Sequence, residues 1–180
     1  YAHYDASDKS SVDPWVGEVG PDLAVAGSPT IQTSDKNGLN TVLYDGTDDG
    51  HAAAPSDWTN QPQPNHIFLA YQVLTNTSQG DYIVATNDSN ARNDIRDDVS
   101  TEWGIYGGSS AITGGSPDTN WHVFTAYFDG ANSYARVDGT QVLSGDPGAD
   151  DWGPLALGYL AWNNSNYLNV KVGEVFGYAQ

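Results

Sequence analysis

Trp121-His122-Val123-Phe124-Thr125-Ala126-Tyr127-Phe128-Asp129-Gly130, followed by Ser133-Tyr134-Ala135-Arg136-Val137-Asp138-Gly139-Thr140-Gln141-Val142-Leu143, is the stretch that decides the fold. Trp121 to Phe128 is a run of β-branched and aromatic residues, which reads as a strand. Asp129-Gly130 turns it, Ser133 to Val137 is a second strand, and Asp138-Gly139 leads tightly into a third, Thr140 to Leu143. Asp-Gly between two apolar runs is a strong short-range hairpin signal, because both central residues of a type I′ turn need positive φ.

The same grammar extends in both directions. Asn65 to Thr75 reads as a long central strand, and Asp81 to Thr86 as its hairpin partner beyond a Ser78-Gln79-Gly80 turn. Glu102 to Tyr106 is a further strand, ended by Gly107-Gly108, and Leu155 to Leu160 and Leu168 to Tyr178 close the chain. The first fifty residues are looser, with Thr30 to Gln32 and Thr41 to Tyr44 as strands, and the acidic stretch Asn93 to Val99 reads as a long connection. Helical periodicity is almost absent, because Gly or Pro interrupts each candidate window. The expectation is one all-β domain over residues 1–180, a two-sheet antiparallel sandwich.

Composition narrows the function classes. Asp and Glu number 23 against six Lys and Arg, a formal net charge of -17 in 180 residues, and only Glu18, Glu102 and Glu174 are glutamates. Such a chain repels itself at moderate salt, so it needs counter-ions, bound cations or high ionic strength. Brine is the simplest setting, and a calcium-loaded extracellular module is the rival, since hard cations take oxygen ligands. A nucleic-acid partner is excluded, because phosphate contacts need clustered Lys and Arg. The absence of Cys removes disulfides and thiolate chemistry. Eleven Tyr, six Trp and four Phe supply a core despite a mean hydropathy of -0.49. No apolar run approaches the roughly 20 residues that span a bilayer, so no membrane insertion is expected. The chain opens at Tyr1 without a signal-peptide pattern, and reads as a mature or excised module of a larger protein. Asn76, Asn87 and Asn163 sit in Asn-x-Ser/Thr sequons.

Trp121 to Val142 resembles the central signature of the laminin-G-like domains, which belong to the concanavalin A-like lectin/glucanase jelly rolls. That signature is a Trp-His-x-x-hydrophobic strand, an Asp-Gly turn and an aromatic-x-hydrophobic-Asp-Gly hairpin. Other pieces follow in the family's order: Tyr4-Asp5-Ala6-Ser7, Tyr44-Asp45-Gly46, Ile67 to Val73, Leu155 to Gly158, and Val172-Gly173-Glu174-Val175. The resemblance covers nearly the whole chain and implies two stacked antiparallel sheets, with Trp121 in the core and His122 in a structural position. It implies no single activity, since members include lectins, adhesion modules and glycanases.

Laminarinase-type glycanases of this superfamily carry two Glu and one Asp on alternate positions of one strand. Glu18, Glu102 and Glu174 are scattered, with no acidic residue two positions away on a strand, so no enzyme is expected. Pairs such as Asp94 with Asp97 or Asp98 are read as solvated turn residues. His3, His51, His66 and His122 show no metal-ligand spacing. A structural Ca²⁺ has its first candidate in the loop Asp45-Gly46-Thr47-Asp48-Asp49-Gly50, with Asp45, Asp48 and Asp49 as ligands, and Asp94, Asp97 and Asp98 form a second acidic cluster. Sugar recognition needs aromatic faces flanked by amides and carboxylates. Trp162, Asn163, Asn164 and Tyr167 form the best such segment, Trp58, Trp103 and Tyr106 are further platforms, and Arg92 or Arg96 suits an acidic sugar.

These features lead to a non-catalytic module that recognises a glycan or surface glycoprotein at an extracellular or virion surface in high salt. The alternative is a structural or protein-interaction module of a halophilic virus, a tail-fibre or capsid decoration domain, able to oligomerise and without sugar binding. A glycan hydrolase or lyase stands behind both.

Overall fold

The computed structural model describes residues 2–75, 80–98 and 102–180. Its strands, in chain order, are β1 (Ala2–Asp5), β2 (Ala24–Ala26), β3 (Thr30–Lys36), β4 (Leu39–Asp45), β5 (Gly50–Ala52), β6 (Asn65–Val73), β7 (Tyr82–Thr86) and β8 (Asp94–Asp98). They continue with β9 (Glu102–Tyr106), β10 (Ile112–Gly114), β11 (Trp121–Phe128), β12 (Ser133–Val137), β13 (Thr140–Gly145), β14 (Leu155–Leu157) and β15 (Asn169–Ala179). Three single-turn 3-10 segments are the only helices among the described residues, and no helix there is long and apolar enough to cross a membrane.

The strands form two antiparallel sheets. The larger runs β13-β12-β11-β6-β15-β4-β3, with β1 also paired to β15; the smaller runs β10-β9-β8-β7-β14-β5-β2. β15 pairs with β6 along one edge and shares its other edge between β4, at Asn169 to Val172, and β1, at Glu174 to Gly177. The sandwich follows from alternation. Asn65, Ile67, Leu69, Tyr71 and Val73 on β6 are buried, as are Phe124, Ala126 and Phe128 on β11. They meet Ile83, Ile95, Ile105, Leu155 and Leu157 from the small sheet, with Trp15, Trp103 and Trp152 fully enclosed. Each fully buried Val, Ile, Leu or Phe among them contributes about 1.5–3 kcal/mol on leaving water.

The decisive hairpin forms as expected: Asp138 and Gly139 take φ of 50° and 81°, so the turn between β12 and β13 has both central residues left-handed. Four readings are corrected. β6 and β7 lie in different sheets, so Asp81 to Thr86 is not a hairpin partner; Ser78 and Gln79 of the expected turn, like Asn76, lie outside the described residues. The acidic stretch is not a connection but β8, whose Ile95 is buried between β7 and β9 and whose Asp94 is fully buried against Arg92. Asp94 and Asp97 are therefore strand residues and not solvated turn residues. Trp121 points away from the core, being half-buried on the outer face of the large sheet.

Candidate functional site

The outer face of the large sheet carries rows of side chains that run across the strands. Register places Tyr134, Tyr127, His66 and Tyr178 in line, with ring centroids 5.2, 4.4 and 5.0 Å apart. The next row is Thr125, Phe68, Phe176 and His3, and the one after it Val123, Ala70, Glu174 and Asp5. The row beyond that holds Trp121, Gln72 and Lys171. Ala70 is short where its neighbours along β6, Phe68 and Gln72, are long, and β15 adds Gly173 as a bulge beside it. The third row is therefore a trough between an aromatic wall and Trp121. Crossing β1, β15, β6 and β11 at about 4.8 Å per strand makes it roughly 14 Å long.

A groove of about 280 Å³ occupies one part of this trough. Ala70 and Gly173 lie at its base, Trp121 and Val123 on one side, and the β3–β4 tip with Lys36 and Asn40 on the other. A side chain at Gly173 would meet the Trp121 ring at ordinary contact distance, so the indole lies close over the bulge. The Lys36 ammonium sits 6.0 Å from the Trp121 ring centroid. Asp5, Glu174 and Asp138 add carboxylates. Asp5 accepts from the Ser7 N–H and hydroxyl, each at 2.8 Å, and Glu174 bonds His3 at 2.7 Å.

His122, on the other face of β11 from Trp121 and Val123 and near the buried Tyr71, meets the end of the trough through Asp138. Its Nδ1 is 2.7 Å from Asp138 Oδ2 and its Nε2 2.9 Å from Asp118 Oδ1, while Asp138 Oδ1 accepts the Val123 N–H at 2.9 Å. Burial disfavours the charged ring, but the bonds to Asp118 and Asp138 outweigh it and raise the His122 pKa above the usual histidine range. His51 is the opposite case. Fully buried between Tyr44 and the Val12 carbonyl, it is held neutral by desolvation and belongs to the core.

The residues singled out from sequence divide into groups. Arg92, Tyr106 and Trp162 converge outside the small sheet: the Arg92 guanidinium lies 4.3 Å from the Tyr106 centroid and 5.7 Å from that of Trp162. Arg96 joins them, 5.8 Å from Tyr106 and bonded to the Tyr82 hydroxyl at 3.1 Å. Trp162 is 41% exposed on a 3-10 turn, Ala161–Asn163, followed by left-handed Asn164 and Asn166. Asn and Asp tolerate that region better than other side chains. The loop's amides bond within it: Asn163 to Ser165, and Asn164 to the hydroxyl of Tyr167, whose ring stacks on Tyr159. Arg92 is committed to Asp94 at 2.8 and 2.5 Å. Burial lifts the Asp94 pKa to about 6, with Arg92 opposing the rise. The group is thus a balanced ion pair under aromatic cover.

Trp103 and Trp58 do not join it. Trp103 is 1% exposed and packs edge-on against Tyr71 and Phe124, which corrects its reading as a ligand platform. Trp58 is half-buried edge-on against Trp152, its indole donating to the Trp152 carbonyl at 3.3 Å. Asp45, Asp48 and Asp49 do come together, offering oxygens within 4.8 Å of one another. Their chemistry suits a hard cation, but Asp49 already accepts the N–H groups of Ser28 and Asp45 at 2.6 and 3.1 Å. Ca²⁺ takes about 6–8 oxygens, so loop carbonyls and water would have to supply most of the shell.

Sequence reading missed the trough. Its one available signal was the alternation of β6, which places Phe68 and Ala70 opposite the buried set; the Trp121 assignment to the core hid the rest.

No family model matches the chain, and no curated protein is similar to it in sequence. Solved structures do resemble it. Domain 4 of AbnA, a GH43 extracellular arabinanase from Geobacillus stearothermophilus, in complex with arabinotriose, matches with TM-score 0.71 at 15% identity, covering 99% of this chain and 91% of that one. Trypanosoma rangeli sialidase in complex with sialic acid matches with TM-score 0.70 at 15% identity, over 98% of this chain and 30% of the sialidase. The chain thus spans less than a third of the sialidase. A mutant of that sialidase displaying trans-sialidase activity gives TM-score 0.72 at 14% identity over the same shares. The likeness to laminin-G-like domains rests on sequence motifs, whereas these neighbours share with this chain the architecture of a two-sheet β-sandwich of jelly-roll type.

Proposed function

We propose that the protein is a non-catalytic carbohydrate-recognition module, acting at a cell or virion surface in concentrated salt, and that the trough on the large sheet is its binding site. The observation that carries this reading is the pairing of Trp121 with the small floor residues Ala70 and Gly173 inside one groove. Apolar sugar faces pack on indole rings, and hydroxyls donate to carboxylates and amides such as those of Asp5, Glu174, Asp138 and Asn40. The arabinotriose and sialic acid complexes of its fold neighbours are in keeping with a carbohydrate-related role. Trp162 and its loop are a second, smaller platform in the same proposal.

A glycan array probed in molar KCl tests it. Wild type should bind a defined subset, W121A should lose at least tenfold in affinity while keeping its circular dichroism spectrum, and W162A should lose less. Silence of the wild type, or undiminished binding by W121A, refutes the assignment and leaves the structural-module alternative.

A further inference from the structure

The trough does not end with the groove beside Trp121. A second cavity of about 260 Å³ is lined by Phe68, Leu69, Ala70, Val123, Glu174 and Phe176. It shares Ala70, Val123 and Glu174 with the first, so the two are consecutive compartments of one channel. Their characters differ. The first has hydrogen-bonding groups on both sides, whereas among the described residues Glu174 supplies the only polar side chain of the second. Phe176, 37% exposed, and Val123, 49% exposed, form its apolar flanks.

Charge sets the class of occupant. Three carboxylates, Asp5, Asp138 and Glu174, line the compartments, and Lys36 is the one Lys or Arg among the lining residues; the lining His122 is held between Asp118 and Asp138, and His3 bonds Glu174. Lys36 itself lies over Trp121. The other basic side chains are engaged elsewhere: Lys9 with Glu18, Lys171 with Asp35, Arg92 with Asp94, and Arg136 over the Tyr134 ring. Arg96 lies on the small sheet with Tyr82. An anionic ligand in the trough would therefore face like charges at contact range, a separation of about one Debye length in molar salt, so screening there weakens the repulsion without abolishing it.

Resting on the glycan reading, we propose that the trough takes two or more consecutive units of an uncharged glycan chain and rejects acidic ones. The unit beside Trp121 is fixed by hydrogen bonds, and its neighbour lays an apolar face against Phe176 and Val123.

Calorimetry in molar KCl tests this with xylo-, cello- and arabino-oligosaccharides of one, two and three units beside matched galacturonate oligomers. For at least one neutral series, affinity should rise at least tenfold from monomer to trimer, and the galacturonates should bind at least tenfold more weakly. F176A, checked for an unchanged melting temperature, should flatten the length dependence, and E174Q should narrow the neutral-to-acidic gap. Equal affinity for monomer and trimer, or preference for the uronates, overturns the proposal while leaving glycan recognition standing. Silence with every sugar, together with a silent array, refutes the underlying reading and this inference with it.

Discussion

His122 Nδ1 lies 2.7 Å from Asp138 Oδ2, so the turn between β12 and β13 is tied by its first residue to the strand that borders the trough. Asp118 holds the other ring nitrogen. The folded pKa is raised above the unfolded value of about 6.5, so this stabilisation is complete below pH 6.5 and is lost as pH rises through the folded value. Wild type should melt higher than H122N at about pH 6, with the gap closing as pH climbs. A gap that is flat or widens with pH would show that His122 is not charged between its two aspartates.

Arg92 covers a carboxylate that has no route to water. Asp94 is fully buried and its pKa of about 6 exceeds the unfolded carboxylate range, so folding takes up a proton between the two values and stability falls as pH rises through 6. Removing the cation should sharpen this. R92Q should cost about 3–5 kcal/mol near neutral pH, because it removes the hydrogen-bonded partner of a buried charge and leaves Arg96 as its remaining cation, and less near pH 5, where Asp94 can protonate. Urea unfolding at both pH values measures it; equal losses would mean that packing on Tyr106 and Trp162, and not charge, is what Arg92 contributes.

Much of the sandwich was legible because period-two alternation and Asp-Gly turns are local. The alternation of β6 from Asn65 to Val73 and the turn at Asp138-Gly139 needed no partner to be read. The trough was not legible, because its rows are made by pairing: His66 meets Tyr178, and Ala70 meets Glu174, across more than a hundred residues of chain. A motif can place Trp121 on a strand, yet the face it takes depends on register, and one residue of slip exchanges the faces. β8 was hidden for another reason. Asp-Ile-Arg-Asp-Asp looks solvated until Arg92, just outside the strand, is seen neutralising Asp94. Arg92, Tyr106 and Trp162 stand apart in the sequence, and only the fold brings them together.

Asp49 is the buried member of the acidic loop, 5% exposed, and its carboxylate accepts two backbone N–H groups. Asp49→Ala should cost about 1–3 kcal/mol by leaving those donors unpaired, and should do so equally in EDTA. A calcium contribution has a separate signature. Millimolar Ca²⁺ would raise the wild-type melting temperature, and Asp48→Asn would abolish the rise without reproducing the loss seen for Asp49→Ala. If Ca²⁺ changes nothing, the loop is held by its own hydrogen bonds.

The net charge of -17 makes a last demand on the whole molecule. With 23 acidic side chains on 180 residues and few cations to pair them, folding crowds carboxylates that the unfolded chain keeps apart. Raising KCl from 0.1 to 1 M shortens the Debye length from about 10 to about 3 Å, which removes most repulsion between exposed groups while leaving Arg92–Asp94 nearly untouched. The melting temperature should therefore climb steadily over that range, with each kcal/mol gained appearing as about 2–4 °C for a chain of this size. EDTA should leave the curve in place, since monovalent screening needs no bound ion. A flat or falling curve would mean that the acidic residues are already spaced or neutralised in the fold, and that brine is not what this surface is built for.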